Sequence, residues 1–187
     1  MKHYLPTNKL YILSAPSASG KTTMIKNLTG SIGAEAIISS DDLRRKILGV
    51  NKDIDEYGIK HHINGWTYNN PEIFDILYKM VELRLSQGLP TIIDATNLDD
   101  NVRKDYVKIA DHYGVKSEIL IIDTDINICK ERMSKRLERF SPHGIDSQFK
   151  RFQKTSRFNH RVLTNHDQIV FIPPLLETKK IDVVGDV

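Results

Sequence analysis

The sequence has little that could cross-link the chain, anchor it in a membrane or charge it strongly. Its 187 residues include one cysteine, Cys129, so no disulfide can form within the chain. No apolar run approaches the roughly 20 residues of a membrane span, and residues 1–7 lack the apolar core of a signal peptide. The 27 Lys and Arg residues against 24 Asp and Glu leave a net charge of +3, too small to indicate nucleic acid by itself. We therefore expect a cytoplasmic protein that forms a single domain over residues 1–187 and makes no membrane contact.

Short apolar runs alternate with longer amphipathic segments. Four runs predict buried strands, at 9–15, 35–40, 90–96 and 117–123. The segments around them predict helices, at 20–28, 41–48, 71–86, 99–113 and 125–137, several followed by a glycine suited to a C-terminal cap. This alternation predicts an α/β fold, a parallel sheet with helices on both faces whose strand ends form one functional edge. The polar segment 51–70 is expected to be a loop or insertion, and the tail 167–187 contains a possible further strand, QIVFIPP.

A glycine is lacking from the most informative motif. Residues 14–24 read SAPSASGKTTM, which matches the phosphate-binding pattern GxxxxGK[ST] except that Ala15 replaces the leading glycine. The motif lies between a predicted strand and a predicted helix, as a P-loop requires, whereas a chance small-residue turn needs no such setting. Gly20, where the backbone must approach the phosphate, is retained, and a methyl group at position 15 leaves the backbone N–H donors intact. We therefore predict a working P-loop.

The P-loop predicts a nucleoside triphosphate, ATP or GTP, together with Mg²⁺. Lys21 would reach the β- and γ-phosphate oxygens and the Thr22 hydroxyl would bind the metal, while backbone N–H groups at the helix N-terminus surround the phosphates. The predicted nucleotide-binding residues are Ser17, Ala18, Ser19, Gly20, Lys21, Thr22 and Thr23.

Polar residues at the ends of two other strands are candidates for the acceptor side. In SSDDLRRKILG, Asp41 could accept a proton from an attacking hydroxyl, with Arg44 one helical turn later. The alternative makes Asp41 or Asp42 a helix cap and Arg44 a surface residue. In IIDATN, the cluster Asp94, Thr96 and Asn97 could contact the acceptor and the water shell of magnesium, or could cap the helix from 99.

A basic stretch, CKERMSKRLERFSPHG, follows the fourth predicted strand, and a second basic helix is predicted from about Ile145. Arg132 and Arg136 are four residues apart and share one helical face, so both could reach the nucleotide phosphates if a lid at about 130–150 closes. Such arginines stabilise the charge that develops in phosphoryl transfer. Otherwise this basic face is simply solvated.

Taken in order, the motifs SASGKTT, SSDDLRRKI, IIDATNLDDNVRKDYVKIADHYG and DTDINICKERMSKR resemble the 5′-hydroxyl polynucleotide kinase domain of phage and bacterial nucleic-acid end-healing enzymes, over most of residues 10–158. The resemblance implies a P-loop kinase fold with a helical lid. It also implies ATP-dependent phosphate transfer to the 5′-hydroxyl end of RNA or DNA. Members of that family often carry an attached phosphatase or ligase domain, and from the length of this chain we expect a stand-alone kinase. Lys21, Asp41, Arg132 and Arg136 would then be catalytic, and Arg44 would clamp an acceptor phosphate. Segment 51–70, which has no clear match, would lie on the acceptor side.

Two other functions remain open from the sequence. The same fold serves kinases of small metabolites or nucleotide sugars, such as gluconate-type kinases and zeta-type toxins, and fold alone does not choose between them. Arg44 beside the candidate base favours an acceptor that itself carries a phosphate. A nucleotide-binding module without transfer activity is the third possibility, although it would not need a base beside the γ-phosphate. The histidines lack a ligand spacing, so no zinc site is predicted.

Overall fold

The computed structural model describes residues 9–28, 33–48, 71–135, 142–158 and 168–172. The strands in these ranges are β1 (Lys9–Ser14), β2 (Ile37–Ser39), β3 (Thr91–Asp94), β4 (Lys116–Ile122) and β5 (Gln168–Ile172). The helices are α1 (Lys21–Leu28), α2 (Ser40–Leu48), α3 (Pro71–Ser86), α4 (Asp100–His112), α5 (Ile126–Ser134) and α6 (Pro142–Phe158), with a short 3₁₀ turn at Ala34–Ala36.

The five strands form one parallel sheet in the order β2-β3-β1-β4-β5. Residue pairs such as Leu10 with Thr91 and Ile12 with Ile119 set the register of the central strands. From β1 the chain moves to one side of the sheet, and after β3 it crosses to the other side. Ligands of such sheets bind beyond the carboxyl ends of the strands near that reversal. The predicted α/β fold with a parallel sheet is confirmed, and the tail supplies the further strand, β5.

Side chains of the central strands alternate between two apolar cores. In β1, Leu10 and Ile12 point to one core and Tyr11 and Leu13 to the other. The first core is closed by α3, α4 and α6, and the second by α1 with the 3₁₀ turn. Burial on both faces explains why these strands read as continuous apolar runs, and it confirms helices on both faces of the sheet.

Several element boundaries differ from the sequence prediction. The strand predicted at 90–96 is limited to Thr91–Asp94, and the helix predicted at 125–137 to Ile126–Ser134. The predicted strand at 35–40 is confined to Ile37–Ser39, because the residues before it form the 3₁₀ turn and Ser40 already begins α2. The last basic helix begins at Pro142, not near Ile145, since proline without its N–H suits the first helical turn. Segment 51–70 and most of the tail lie outside the described residues. Within the described ranges no helix is long and apolar enough to cross a membrane.

Candidate functional site

The candidate site is a cleft of about 490 Å³ at the carboxyl ends of the strands. It brings together the P-loop, the first turn of α2, the start of α3, the segment after β3 and one side chain of α6. Most of the predicted site residues line it, namely Ser17, Ala18, Gly20, Lys21, Thr22, Thr23, Asp41, Arg44, Asp94, Thr96 and Asn97. The loop residue Ser19 is buried and does not line the cleft, and Arg132 contacts the loop without lining the cleft. Arg136 lies outside the described residues.

The P-loop turns through two left-handed backbone positions between β1 and α1. Gly20 has φ +101° and Ala18 has φ +60°. A Cβ at Gly20 would lie 3.3 Å from Nη1 of Arg132, so both the conformation and the close approach of an arginine favour glycine there. Ala18 occupies a conformation that side chains rarely adopt, and its methyl group is buried against α5 and α6.

Ala15, the residue that replaces the usual glycine, is fully buried. Its methyl group packs in the core below the loop with Tyr11, Leu13 and Met24, and its N–H donates to the Thr96 carbonyl at 3.0 Å. Among the described residues, the non-glycine positions with positive φ are Ala18 and Asn97, so position 15 does not require glycine. The departure from the usual pattern therefore leaves the loop in the shape of a phosphate-binding loop.

Lys21, Thr22 and Asp94 form the polar floor of the cleft. The Lys21 ammonium folds back and donates to the carbonyls of Ala15 at 3.1 Å and Pro16 at 2.7 Å. The Thr22 hydroxyl donates to Oδ2 of Asp94 at 2.9 Å. Burial raises the pKa of Asp94 above its usual value, and the charge of Lys21 opposes that rise.

This floor fits a magnesium ion that is bound chiefly by phosphates and water. The described residues contain no group of three His, Cys, Asp or Glu side chains able to enclose a metal. Mg²⁺ with a nucleotide does not need one, because it usually keeps several waters and takes one or two protein ligands. Thr22 and the adjacent Asp94 supply a hydroxyl and a carboxylate of the required kind.

The first turn of α2 places Asp41 and Arg44 on another wall of the cleft. Nη1 of Arg44 donates to Oδ1 of Asp41 at 2.9 Å, and the Arg44 guanidinium lies 5.5 Å from the centre of the Phe74 ring. Arg44 is buried, whereas the Asp41 side chain is 55% exposed. The cap of this helix is made by Ser39, whose hydroxyl accepts from the Asp42 N–H at 3.3 Å. Neither aspartate is therefore needed as the cap, and Arg44 is not a surface residue.

The segment after β3 is held mainly by buried hydrogen bonds. Asn97 has φ +42°, and its side-chain amide donates to the Leu13 carbonyl at 2.7 Å. The Asn97 carbonyl accepts from the Ser14 hydroxyl at 3.1 Å and also from the buried Arg103. Asp99 occupies the N-cap position of α4 but makes no side-chain cap bond. This geometry does not support capping by Asp94 or Asn97, and it gives Asn97 a role in holding β3 against β1.

Helices α5 and α6 contact the P-loop from the other side. Arg132 of α5 donates to the Ser19 carbonyl at 3.1 Å, and Oε1 of Gln148 in α6 accepts from the Ser17 N–H at 2.8 Å. Arg151 of α6 lines the cleft and forms an ion pair with Asp99.

Sequence reasoning missed four residues of this arrangement, and each depends on a long-range contact. They are Phe74, Tyr78, Gln148 and Arg151. The spacing of Phe74 and Tyr78, four residues apart on one helix, was the one available signal, and it is equally typical of a core helix.

Comparison with known proteins identifies the family. Residues 10–157 match the family AAA_33, described as an AAA domain. A chain from the Pnkp1/Rnl/Hen1 RNA repair complex has a similar fold, with a TM-score of 0.61 at 22% identity over 81% of this chain and 46% of that one. A gluconokinase from Sinorhizobium meliloti gives 0.51 at 17% identity, over 88% of this chain and 82% of that one. A sugar kinase from a Janibacter species gives 0.53 at 20% identity, over 90% and 86%.

A sequence relative is similar over a shorter region. The tRNA dimethylallyltransferase 2 of Pelobacter propionicus is 43% identical over 60 residues, which are 30% of this chain and 19% of that protein. The chain thus spans less than half of the RNA repair chain and about a fifth of the transferase. The family match covers most of the chain and contains the whole P-loop. The chain therefore belongs to the AAA domain family and is a P-loop nucleotide-binding protein with the fold of a kinase.

Proposed function

We propose that the protein is an Mg²⁺- and ATP-dependent kinase that transfers the γ-phosphate to the 5′-hydroxyl end of a polynucleotide. The observation that carries this proposal is the shared cleft, in which the P-loop residues Lys21 and Thr22 and the acid–arginine pair Asp41 and Arg44 line one cavity. A site that only bound nucleotide would not need a partly exposed carboxylate on the wall of the phosphate cleft.

The donor half of the cleft would hold the triphosphate. The N–H groups of residues 17–23 and the N-terminus of α1 surround the phosphates, and Lys21 exchanges its bonds to loop carbonyls for bonds to phosphate oxygens. Thr22, with Asp94 behind it, would hold Mg²⁺, which neutralises charge on the β- and γ-phosphates when bound.

Asp41 is the proposed general base. The 5′-hydroxyl oxygen attacks the γ-phosphorus, its proton passes to the Asp41 carboxylate, and the bond from the γ-phosphorus to the β–γ bridging oxygen breaks to release ADP. Its partner Arg44 holds the carboxylate in place through the 2.9 Å bond. A positioned base contributes about 10² to 10⁴ in rate.

Arg44 is also the proposed contact for the phosphodiester that follows the first nucleoside of the acceptor. Its guanidinium has five N–H donors, so it can keep its bond to Asp41 and still donate to a phosphate. Because Arg44 is already buried and stacked near Phe74, little side-chain freedom remains to be lost when the acceptor binds.

A lid at about 130–150 is part of the proposed mechanism, and Arg151 is added to the arginines that would contact the transferred phosphate. Arg132 already donates to the carbonyl of the loop residue Ser19. It would approach the phosphates if the segment moves. Arg151, which already lines the cleft, joins Arg132 and Arg136 as a candidate for stabilising the transferred phosphate.

Phosphorylation of a small sugar acid or sugar is the second candidate. The observation that favours it is the similar fold of the gluconokinase, with a TM-score of 0.51, and of the sugar kinase, with 0.53, because the fold alone does not choose between the acceptors. The polynucleotide reading is supported by the buried arginine beside the proposed base, which suits an acceptor that carries a phosphate.

Transfer of label from γ-labelled ATP to a panel of acceptors tests the proposal. The panel contains 5′-hydroxyl DNA, 5′-hydroxyl RNA, gluconate and nucleotide sugars. We expect labelling of a 5′-hydroxyl end. Labelling of gluconate alone would establish the second candidate, and ATP binding without any labelling would indicate a nucleotide-binding module.

Variants of α2 test the assigned roles. Asp41→Asn should lower kcat by about 10² to 10⁴ while ATP affinity stays nearly unchanged, and Asp42→Asn is the matched control one residue away. Arg44→Ala should be most impaired on an oligonucleotide or a nucleoside 3′-monophosphate and less on the bare nucleoside. An active Asp41→Asn with a dead Asp42→Asn, or an equal defect of Arg44→Ala on all three acceptors, would overturn the assignment.

A further inference from the structure

The wall of the cleft that α3 supplies is mostly apolar and aromatic. Phe74 and Tyr78, four residues apart on one face of the helix, line the same cavity as Lys21 and Asp41. Leu98 and Val102, which belong to the same apolar cluster as Tyr78, extend this lining. We call Phe74 and Tyr78 the aromatic wall.

Both rings of the aromatic wall are held by neighbouring groups. The Arg44 guanidinium lies 5.5 Å from the centre of the Phe74 ring. The Tyr78 ring packs against the buried Tyr106 with the ring centres 4.7 Å apart. Rings that are already positioned lose little conformational freedom when a ligand packs on them.

We propose that the aromatic wall binds the base of the acceptor's 5′-terminal nucleotide and thereby selects nucleotide ends over sugar acids. This inference rests on the proposed function and deepens it, because it names the part of the acceptor that the cleft recognises. Arg44 connects the proposed base with the aromatic wall, since it contacts both Asp41 and Phe74.

The chemistry of the wall favours a nucleobase. A base offers a flat π-face, which packs on aromatic rings whatever its sequence identity, and such stacking contributes about 5- to 150-fold in affinity per base. A polyhydroxy acid offers hydroxyl groups on every side, and those facing Phe74 and Leu98 would lose hydrogen bonds to water without replacement.

An acceptor that lacks only the terminal base isolates this contact. We would compare a 5′-hydroxyl oligonucleotide with the same oligonucleotide carrying an abasic residue at its 5′ end. For the parent enzyme the base should lower KM by about 5- to 150-fold with a smaller change in kcat. Phe74→Leu and Tyr78→Leu should raise KM for the base-bearing acceptor and leave KM for the abasic acceptor within about twofold.

Two controls separate stacking from indirect effects. Phe74→Tyr keeps an aromatic ring and should restore most of the preference for the base-bearing acceptor. Leu83→Ala removes an exposed apolar side chain of the same helix that does not line the cleft, and it should behave as the parent. If loss of the Phe74 ring acted by disturbing Arg44, activity on both acceptors would fall equally. Loss of stacking would impair activity on the base-bearing acceptor alone.

Failure of the wall and failure of the proposed function give different results. Efficient labelling of both oligonucleotides with equal KM would overturn the aromatic wall and leave the polynucleotide kinase standing. An equal defect of Phe74→Leu on both acceptors would overturn it as well. Labelling of gluconate with none of either oligonucleotide would overturn the proposed function, and the aromatic wall with it.

Discussion

Replacing either alanine of the P-loop by glycine tests why the loop forms with Gly20 as its one glycine. Ala15→Gly and Ala18→Gly are the same chemical change three residues apart, and both remove a buried methyl group. They differ in backbone conformation, because Ala18 has φ +60° and Ala15 does not have a positive φ. The two variants therefore control for each other.

The expected changes in stability follow from three contributions. Loss of a buried methyl costs about 0.8 kcal/mol, and the greater freedom of glycine in the unfolded chain costs about 0.4 to 1 kcal/mol. For Ala15→Gly these add to about 1.5 kcal/mol of lost stability, a fall in Tm of about 3 to 6 °C in a chain of this length. At Ala18 the left-handed conformation costs a side chain about 1 to 2 kcal/mol, and glycine removes that cost. Ala18→Gly is therefore expected to be close to neutral.

Thermal unfolding and urea denaturation of both variants measure the difference, with kinase turnover as a second readout. Turnover of Ala15→Gly should stay within a few-fold of the parent, since the methyl group lies in the core and not toward the phosphates. A rise in Tm for Ala15→Gly would refute the stabilising role of the Ala15 methyl group, and equal destabilisation by both changes would refute the assignment of strain to Ala18. A large change in turnover with Ala15→Gly would show that position 15 shapes the loop directly.

Three further predictions concern the floor and the rim of the cleft. Lys21→Ala should abolish phosphate transfer and weaken ATP binding in a titration with a fluorescent analogue, and undiminished turnover would contradict the P-loop assignment. Asp94→Asn should lower turnover but not the free energy of unfolding at pH 7. Because folding raises the Asp94 pKa, the parent loses stability as the pH rises above the pKa that Asp94 has in the unfolded chain, whereas the variant has no such group to lose a proton. In denaturation at pH 4 and pH 7, the free energy of unfolding of the variant relative to that of the parent should be higher at pH 7. The opposite trend would indicate that the carboxylate stabilises the fold. Asp99→Asn breaks the half-exposed pair with Arg151 and should change the free energy of unfolding by less than about 1 kcal/mol, less still at high salt.

The sequence was sufficient to predict the sheet because its signal is local. Runs such as residues 9–15 are apolar on both faces and are followed by a loop and a helix start, so the order of strands and helices can be read directly. The P-loop was predictable for the same reason, since eight consecutive residues, 15–22, define it. The limits of the strand before α2 were not predicted well, because Glu35 and Ala36 run into the apolar Ile37 and Ile38 with no turn signal between them. In the structure they belong to the 3₁₀ turn, and Ala36 is buried in the second core.

The parts of the site that sequence did not predict depend on residues that are distant along the chain. The bond from the Ser17 N–H to Gln148 joins residues 131 positions apart, and no local pattern marks a glutamine for that contact. The spacing of Asp41 and Arg44 was visible in the sequence. The burial of Arg44 against Phe74 was not, since Phe74 follows the long segment 49–70. Asn97 lines the cleft, and its contact with an acceptor stays a prediction. The bond from its side-chain amide to the Leu13 carbonyl, made from a left-handed backbone position, is a long-range contact that no local pattern indicates.

The contacts of the P-loop with α5 and α6 constrain how a lid could move. The Ala18 methyl packs with Cys129, Met133 and Ile145, and the Ser17 N–H is bound by Gln148. Swinging α6 away as a rigid body would break that part-buried hydrogen bond, worth about 1 kcal/mol, and would also expose the buried side chains of Ile145 and Phe152, at about 1.5 to 3 kcal/mol each. These contacts together favour the described arrangement by about 4 to 7 kcal/mol. A nucleotide phosphate that bonds to the Ser17 N–H would replace Gln148 and remove only the hydrogen-bond part of that preference, so nucleotide binding would weaken the contact of α6 with the loop without releasing α6 from the core.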